Sequence, residues 1–413
     1  MNFKEIFVDP FKIEYSLKKI LKGDNRVNPY VITWGVSDKH GWGLVGLHLL
    51  IQMHKRGNAV FFSEAPSSLI ARKDFRKVAS QYAHTTDFFK DALSAPTGII
   101  TLPEQTVLHG LGNQCFEPPQ GKRLWGDRNI ALIAFEDTTL TDEVVARANQ
   151  YDMVVTHSLF NQNMMIEAGV KNVEMVWQGI DPFELKPHKR TNRFGDKFVI
   201  FSGGKIEYRK GQDLILKAFK IFNEKYPDSF LMTNWASYWP EASLSVNESS
   251  VLDHDLKIID GKLDIEGWVA ANGISRDAFC DLGFVERDQI SQNFAEADVA
   301  LFSNRCEGAT NLVAKEAMFC RVPTILSANT GHVDLIPNGR SVCLPLERQT
   351  QVSDKDGSRQ NWMDSDVDEM VAHLEWVYHN REKAKTIANE AFRFIGKERI
   401  WSKFAEDCLD LFE

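Results

Sequence analysis

The chain has 413 residues, of which 43% are hydrophobic and 25% charged, and a net charge of −9 at neutral pH. That length exceeds one ordinary core and predicts two or more globular domains. The acidic balance argues against general nucleic-acid binding, and no run of about 18 apolar residues is present to span a membrane. Six cysteines (115, 280, 306, 320, 343 and 408) are widely spaced, with no C-x-x-C pair. This fits reduced, buried thiols better than a disulfide frame or a zinc site. The opening MNFKEIFVDPFK lacks the basic-then-apolar order of a signal peptide, so a cytoplasmic location is expected.

In chain order, FKIEYSLKKILKG (11–23) comes first, with Ile13, Leu17, Ile20 and Leu21 on one helical face and lysines around them. Two readings stay open: a helix at the inner face of an anionic membrane, or a surface helix packed on the core. Strand-like YVITWGV (30–36) leads through HGWGLVG (40–46) to a helix at 44–56 and then AVFFS. Two short strands (97–102 and 105–110), a strand at 129–137, a helix at 141–151, a strand at 152–158, a helix ending near Gly169 and a strand at 173–179 follow. The polar stretch 180–197, with two prolines, has linker composition. Alternation then restarts with a strand at 197–204, a helix at 212–225 on which Leu214, Ala218 and Ile221 face the core, and a strand at 229–235. After a less regular stretch (236–262) come strands at 278–285, 298–304 and 322–328, with helices at 288–297 and 310–320 between them. Residues 366–413 are mostly helical. The fold class is therefore α/β: two Rossmann-like, doubly wound parallel-sheet domains facing across a crevice, with ligands outside the carboxyl ends of the strands. The expected boundaries are 1–190, 191–385 with a linker at about 182–197, and a tail at 386–413 that packs back on the first domain.

HGWGLVG spells G-x-G-x-x-G, with Glu64 about twenty residues on, as in a dinucleotide fingerprint. In that fold the first glycine follows the strand at once. Here Ser37, Asp38, Lys39 and His40 intervene, so a nicotinamide or flavin cofactor is disfavoured and none is expected.

Two stretches carry more. In FSGGKIEYRKGQDLILKAF (201–219) a strand runs into Gly203-Gly204, and Lys205, Arg209 and Lys210 surround the start of a helix. Helix N-termini and close-approaching glycines suit phosphate. In NRCEGATNLVAKEAMFCRVPTILSANTG (304–331) a strand delivers Glu307 and Gly308 to a loop, and Thr310 or Asn311 can cap the following helix. Glu316 lies inside that helix, on which Leu312, Val313 and Ala317 form the packed face. A carboxylate is acceptor-only when ionised and suits a vicinal diol. The plainer alternatives are a basic loop without a ligand, a loop charge at Glu307 and a solvated Glu316.

Together these stretches resemble the retaining glycosyltransferases of the GT-B class, in the large family 4 grouping. Gly204, Lys205, Lys210 and Gly211 match that family's G-R-x-x-x-x-K-G, with lysine for arginine. Glu307-Gly308 and Glu316-Ala317-Met318, followed by Pro323, match its E-G and E-A-M-x-x-G-x-P. Eight residues separate the glutamates where seven are usual, and Arg321 stands where glycine is usual. VWQGIDPFELKP (176–187) looks like the family's segment before the interdomain linker. The resemblance implies a nucleotide-diphosphate-sugar donor, with Lys205 and Lys210 on the diphosphate and Glu316 on the ribose. Glu307 and the Thr310–Asn311 backbone would meet the sugar, and the base would lie near Phe284–Arg287. Lys205, Lys210 and Glu307 would form the catalytic set, without metal. Gly41 and Gly43 would lie in a loop closing over the donor. The first domain would bind a glycan or glycolipid acceptor, with His109, Glu136 and Asp137 as candidates beside the sugar. The implied role is retaining transfer in cell-surface polysaccharide assembly. A nucleotide-sugar epimerase, a phosphorylase and a non-catalytic sugar-nucleotide or glycan-binding module are the alternatives. Asp253-His254-Asp255 spells the D-x-D metal motif of another glycosyltransferase architecture but lies in the irregular stretch, so no metal site is expected.

Overall fold

The computed structural model describes residues 29–94, 98–119, 121–287, 289–354 and 357–413. The amphipathic segment 11–23 lies outside them. Among the described residues no helix is long and apolar enough to cross a membrane. The chain divides into two compact units, Met1–Gln178 with Trp401–Glu413, and Gly179–Ile400.

The first unit contains β1 (Tyr30–Ile32), α1 (Gly41–Arg56), β2 (Val60–Phe62), α2 (Lys73–Tyr82), α3 (Asp87–Ser94), β3 (Ile100–Leu111), β4 (Leu124–Ile133), α4 (Asp142–Ala148), β5 (Met153–Thr156), α5 (Leu159–Ala168) and β6 (Val173–Met175). Its six strands are parallel, in the order β2-β1-β3-β4-β5-β6. α5 starts where Ser158 accepts from the Asn161 N–H and stops at Gly169, whose φ is +97°. β3 replaces the two short strands expected from the sequence. Pro103 has no N–H to give, Glu104 sits at φ +60°, and the register shifts between Leu102 and Thr106 before pairing resumes.

The second unit contains β7 (Phe198–Gly203), α6 (Gln212–Lys225), β8 (Ser229–Asn234), α7 (Ile265–Ala271), β9 (Phe279–Asp281), α8 (Ile290–Phe294), β10 (Val299–Phe302), α9 (Leu312–Phe319), β11 (Thr324–Ser327), β12 (Leu344–Leu346), α10 (Val367–His379) and α11 (Arg381–Glu398). Its parallel sheet has the order β9-β8-β7-β10-β11-β12. β7 explains its own unbroken apolar run. Phe198 and Ile200 enter one core cluster and Val199 and Phe201 the other, so both faces are covered. On α6, Leu214 and Ala218 are buried as expected, but Ile221 is 37% exposed, at the margin of the packed stripe. On α9, Ala317 is buried while Leu312 and Val313 are only partly so.

The unit boundaries differ from the expected ones. By Ile180 the chain already belongs to the second core: its N–H donates to the Arg399 carbonyl at 2.9 Å, and Ile180 and Leu185 are buried there. α11 also stays in the second unit, with Phe392 stacked on Phe319 of α9 at 4.9 Å. Only α12 (Trp401–Phe412) joins the first unit. Trp401 stacks on His48 at 4.9 Å, Arg56 pairs with Asp410 at 2.5 Å, and Arg128 donates to the Leu411 and Phe412 carbonyls.

Candidate functional site

In the second sheet the strand order reverses between β7 and β10, the position at which doubly wound folds bind ligands. Both stretches singled out in the sequence leave from there. After β7, Gly204 adopts φ +110° and a single turn carries Tyr208–Lys210 to Gly211 at φ +70°. A Cβ on Gly211 would lie 2.3 Å from the Ser303 carbonyl oxygen, so glycine answers both the dihedral and the close approach. The Ser303 hydroxyl donates back to the Gly211 carbonyl at 2.8 Å. The loop after β7 is thus fastened to the loop after β10.

Across this junction the Lys210 ammonium and Asn304 amide donate to the buried Glu307 carboxylate. The Arg209 guanidinium lies 3.3 Å from the same oxygen and donates to the Cys306 carbonyl at 3.0 Å. The Thr330 hydroxyl accepts the Glu307 N–H at 2.8 Å. Burial pushes the Glu307 carboxyl up, but Lys210, Arg209 and His332 outweigh it and hold it at about 2. Burial lowers the Lys210 ammonium, with Glu307 opposing. Lys205 is 39% exposed and pairs with Glu207 at 2.6 Å, and Glu207 also accepts from Arg209 at 3.0 Å. The three expected cations therefore face two carboxylates of the chain itself.

Asn311, rather than Thr310, caps α9, its side-chain oxygen accepting the Ala314 N–H at 3.3 Å while its own φ is +51°. Thr310 is buried and accepts from Lys315 at 2.8 Å. Glu316 is buried and accepts from Arg287 at 2.6 Å, and Arg287 reaches Glu184 at 3.2 Å. Glu316 is therefore not a solvated helix charge. Arg321 follows α9 at φ +62°, which is why a glycine suits that position. Its guanidinium lies 4.3 Å over the Phe392 ring.

The first-unit candidates are placed differently from expectation. Gly41 and Gly43 are not in a loop; they form the first turn of α1, because the His40 ring nitrogen Nδ1 accepts the Gly43 N–H at 3.0 Å and starts the helix. A Cβ on Gly43 would lie 2.4 Å from the Ser37 hydroxyl, so the glycine admits the preceding loop. His109 lies within β3 and is fully buried. Its Nδ1 meets Glu117 at 2.9 Å and its Nε2 meets Asn129 at 3.3 Å, and its ring packs against those of Trp125 and Tyr151, which stack on each other. It does not follow the strand into an open site. Glu136 and Asp137 do leave the carboxyl end of β4, partly buried; Asp137 accepts from Gln114 at 2.7 Å, and both backbone N–H groups donate to Asn113. Asp253, His254 and Asp255 are exposed, and among the described residues no group of three His, Cys, Asp or Glu side chains could hold a metal ion.

Sequence reasoning missed Glu207 as the partner of Lys205, Arg287 and Glu184 as partners of Glu316, and the Asn304, Ser327, Thr330 and His332 set behind Glu307. The last three lie in SANTGHVDL, whose polar residues after an apolar strand were the available signal.

A family model described as "Family 4 Glycosyltransferase in conflict systems" matches residues 284–407. No curated protein matches the chain. Among solved structures, Anabaena Alr3699/HepE in complex with UDP and glucose is similar at TM-score 0.62 and 12% identity, over 93% of this chain and 99% of that one. Sucrose-phosphate synthase from Thermosynechococcus elongatus gives TM-score 0.63 at 13% identity, over 93% and 98%. TarM of S. aureus gives 0.51 at 12%, over 75% and 55%. The chain has the GT-B fold, and its residues 284–407 match the family 4 glycosyltransferases of conflict systems.

Proposed function

We propose that this protein is a retaining glycosyltransferase using a nucleotide-diphosphate-sugar donor, with no cofactor. The observation that carries the reading is the buried Lys210–Glu307–Arg209 junction at the strand-order reversal, with Glu316 on the adjoining helix α9. Lys205 and Lys210 hold the diphosphate, Glu316 the ribose and Glu307 the donor sugar. HepE has been crystallised with UDP-glucose, which supports UDP as the first nucleotide to test. In the reaction the bond between the anomeric carbon and the diphosphate oxygen breaks and a bond to the acceptor oxygen forms on the same face. The acceptor proton passes to the departing phosphate, whose charge the lysines stabilise. The acceptor is a glycan or glycolipid, and the reaction takes place in the cytoplasm. The words "conflict systems" in the matched description favour a second reading of the purpose, in which transfer serves a conflict system rather than polysaccharide assembly.

The test is thermal denaturation with UDP, GDP, ADP, CDP, dTDP, NAD⁺ and NADP⁺. A ligand at about 100 times its Kd adds about 2.7 kcal/mol, so one nucleoside diphosphate is expected to shift the transition alone. A shift with NAD⁺ or NADP⁺ only would overturn the reading. Lys210→Ala is expected to abolish transfer while the far-ultraviolet dichroism is kept, Arg209 remaining beside Glu307. Donor hydrolysis or epimerisation without acceptor would point to another enzyme of this fold, and binding without turnover to a binding module.

A further inference from the structure

Behind the Glu307 loop a chain of hydrogen bonds has a fixed direction. The Ser327 hydroxyl spends its one proton on the Asn304 carbonyl at 2.8 Å, so it must accept from His332 Nδ1, also 2.8 Å away. Nδ1 therefore carries the imidazole proton and Nε2 is bare. Nε2 lies 3.0 Å from the Asn311 side-chain nitrogen, which donates to it. That orientation turns the Asn311 oxygen toward the Ala314 N–H, the cap of α9. His332 and Ser327 are fully buried, and Asn311 nearly so. Burial lowers the His332 imidazole to about 4, with Glu307 opposing, so it is neutral at pH 7.

The loop being held is one that does not hold itself. Asn311 at φ +51° and Thr330 at φ +42° are both left-handed without being glycine, which costs about 1 kcal/mol or more each. Gly331 lies so close beneath that a Cβ would fall 1.7 Å from the Ala309 carbonyl, and its N–H donates to the Glu307 carbonyl at 2.9 Å. If the imidazole carried its proton on Nε2, two N–H groups would face each other, the Asn311 amide would turn over, and α9 would lose its cap.

We propose that His332 is a positioning residue: a neutral, Nδ1-protonated imidazole that sets the Asn311 amide and through it holds the Glu307–Asn311 turn and the start of α9 ready for the donor. The role in donor binding rests on the glycosyltransferase reading; the tautomer and the amide orientation do not. The first test is long-range ¹H–¹⁵N correlation of the imidazoles in the full-length protein at pH 7, with His332 assigned by its loss in His332→Gln. Protonation at Nδ1 alone is expected; an Nε2–H tautomer or an imidazolium would overturn the proposal. In Asn311→Asp the new carboxylate cannot donate, and a proton should appear on Nε2; an unchanged tautomer would equally overturn it. The second test is UDP titration by calorimetry. His332→Leu, which removes both bonds, should raise the Kd about tenfold or more, and His332→Gln, which restores an acceptor at the place of Nε2, should recover most of that loss. UDP affinity unchanged in a folded His332→Leu protein would refute the positioning role. Should the wild type bind no nucleoside diphosphate, the donor reading falls, and the resonances alone decide the orientation.

Discussion

Two buried residues, Glu307 beside the β7–β10 junction and His332 behind it, make the same demand on pH. Glu307 is held at about 2 against an ordinary 4.5, and His332 at about 4 against 6.5. In both cases the unfolded chain binds the proton first, so stability rises with pH across each interval. Acidification should first cost stability between about pH 6.5 and 4 through His332, and further between about pH 4.5 and 2 through Glu307. Urea midpoints measured from pH 7 to pH 4 should fall, and fall less in His332→Gln. Gly211→Ala forces a side chain into φ +70° and against the Ser303 carbonyl. It should cost about 1–3 kcal/mol, read as a lower urea midpoint. Arg321→Gly runs the other way. It relieves the left-handed strain at φ +62° and gives up the contact over Phe392, two effects of about 1 kcal/mol each. The stability should therefore stay within about 1 kcal/mol of the wild type.

At the scale of the element, α1 shows how far local pattern carries. The strand–helix succession around HGWGLVG was readable, because apolar periodicity is local, but the helix start was not. His40 caps through a ring nitrogen, and histidine is not among the residues that advertise a cap. Gly43→Ala should push the 33–40 loop off the helix and cost about 1–3 kcal/mol; retention of the wild-type thermal midpoint would contradict this. α6 was read to the residue because Gly211 precedes it and its apolar spacing is regular. The candidate site was legible only where it is contiguous. Gly204, Lys205, Lys210, Glu307 and Glu316 stand at spacings the chain displays. The groups that satisfy them do not: Arg287 is 29 residues from Glu316, and Thr330 is 23 from Glu307. His109 was misplaced for a related reason. An isolated histidine after apolar residues looks like the end of a strand unless Glu117, eight residues on, is known to fold back onto it.

Across the whole molecule, the chain passes from one compact unit to the other twice, after Gln178 and again after Ile400. The two passages are neighbours, since Ile180 and Ile400 form a parallel bridge. The last helix, α12, supplies Trp401, Phe404, Cys408 and Phe412, all buried, to the unit begun by the first strand. Removing residues 401–413 should uncover His48, Arg56 and Arg128 and lower the thermal midpoint of the first unit well before that of the second. Calorimetry of the truncated chain should then show two separated transitions. There is also an order in time. A ribosome releases the N-terminal end first, yet that end lacks its closing helix until residues 401–413 have been made. The second unit, made of one continuous segment, can therefore mature before residues 401–413 emerge, while the first waits for them with part of its apolar surface bare.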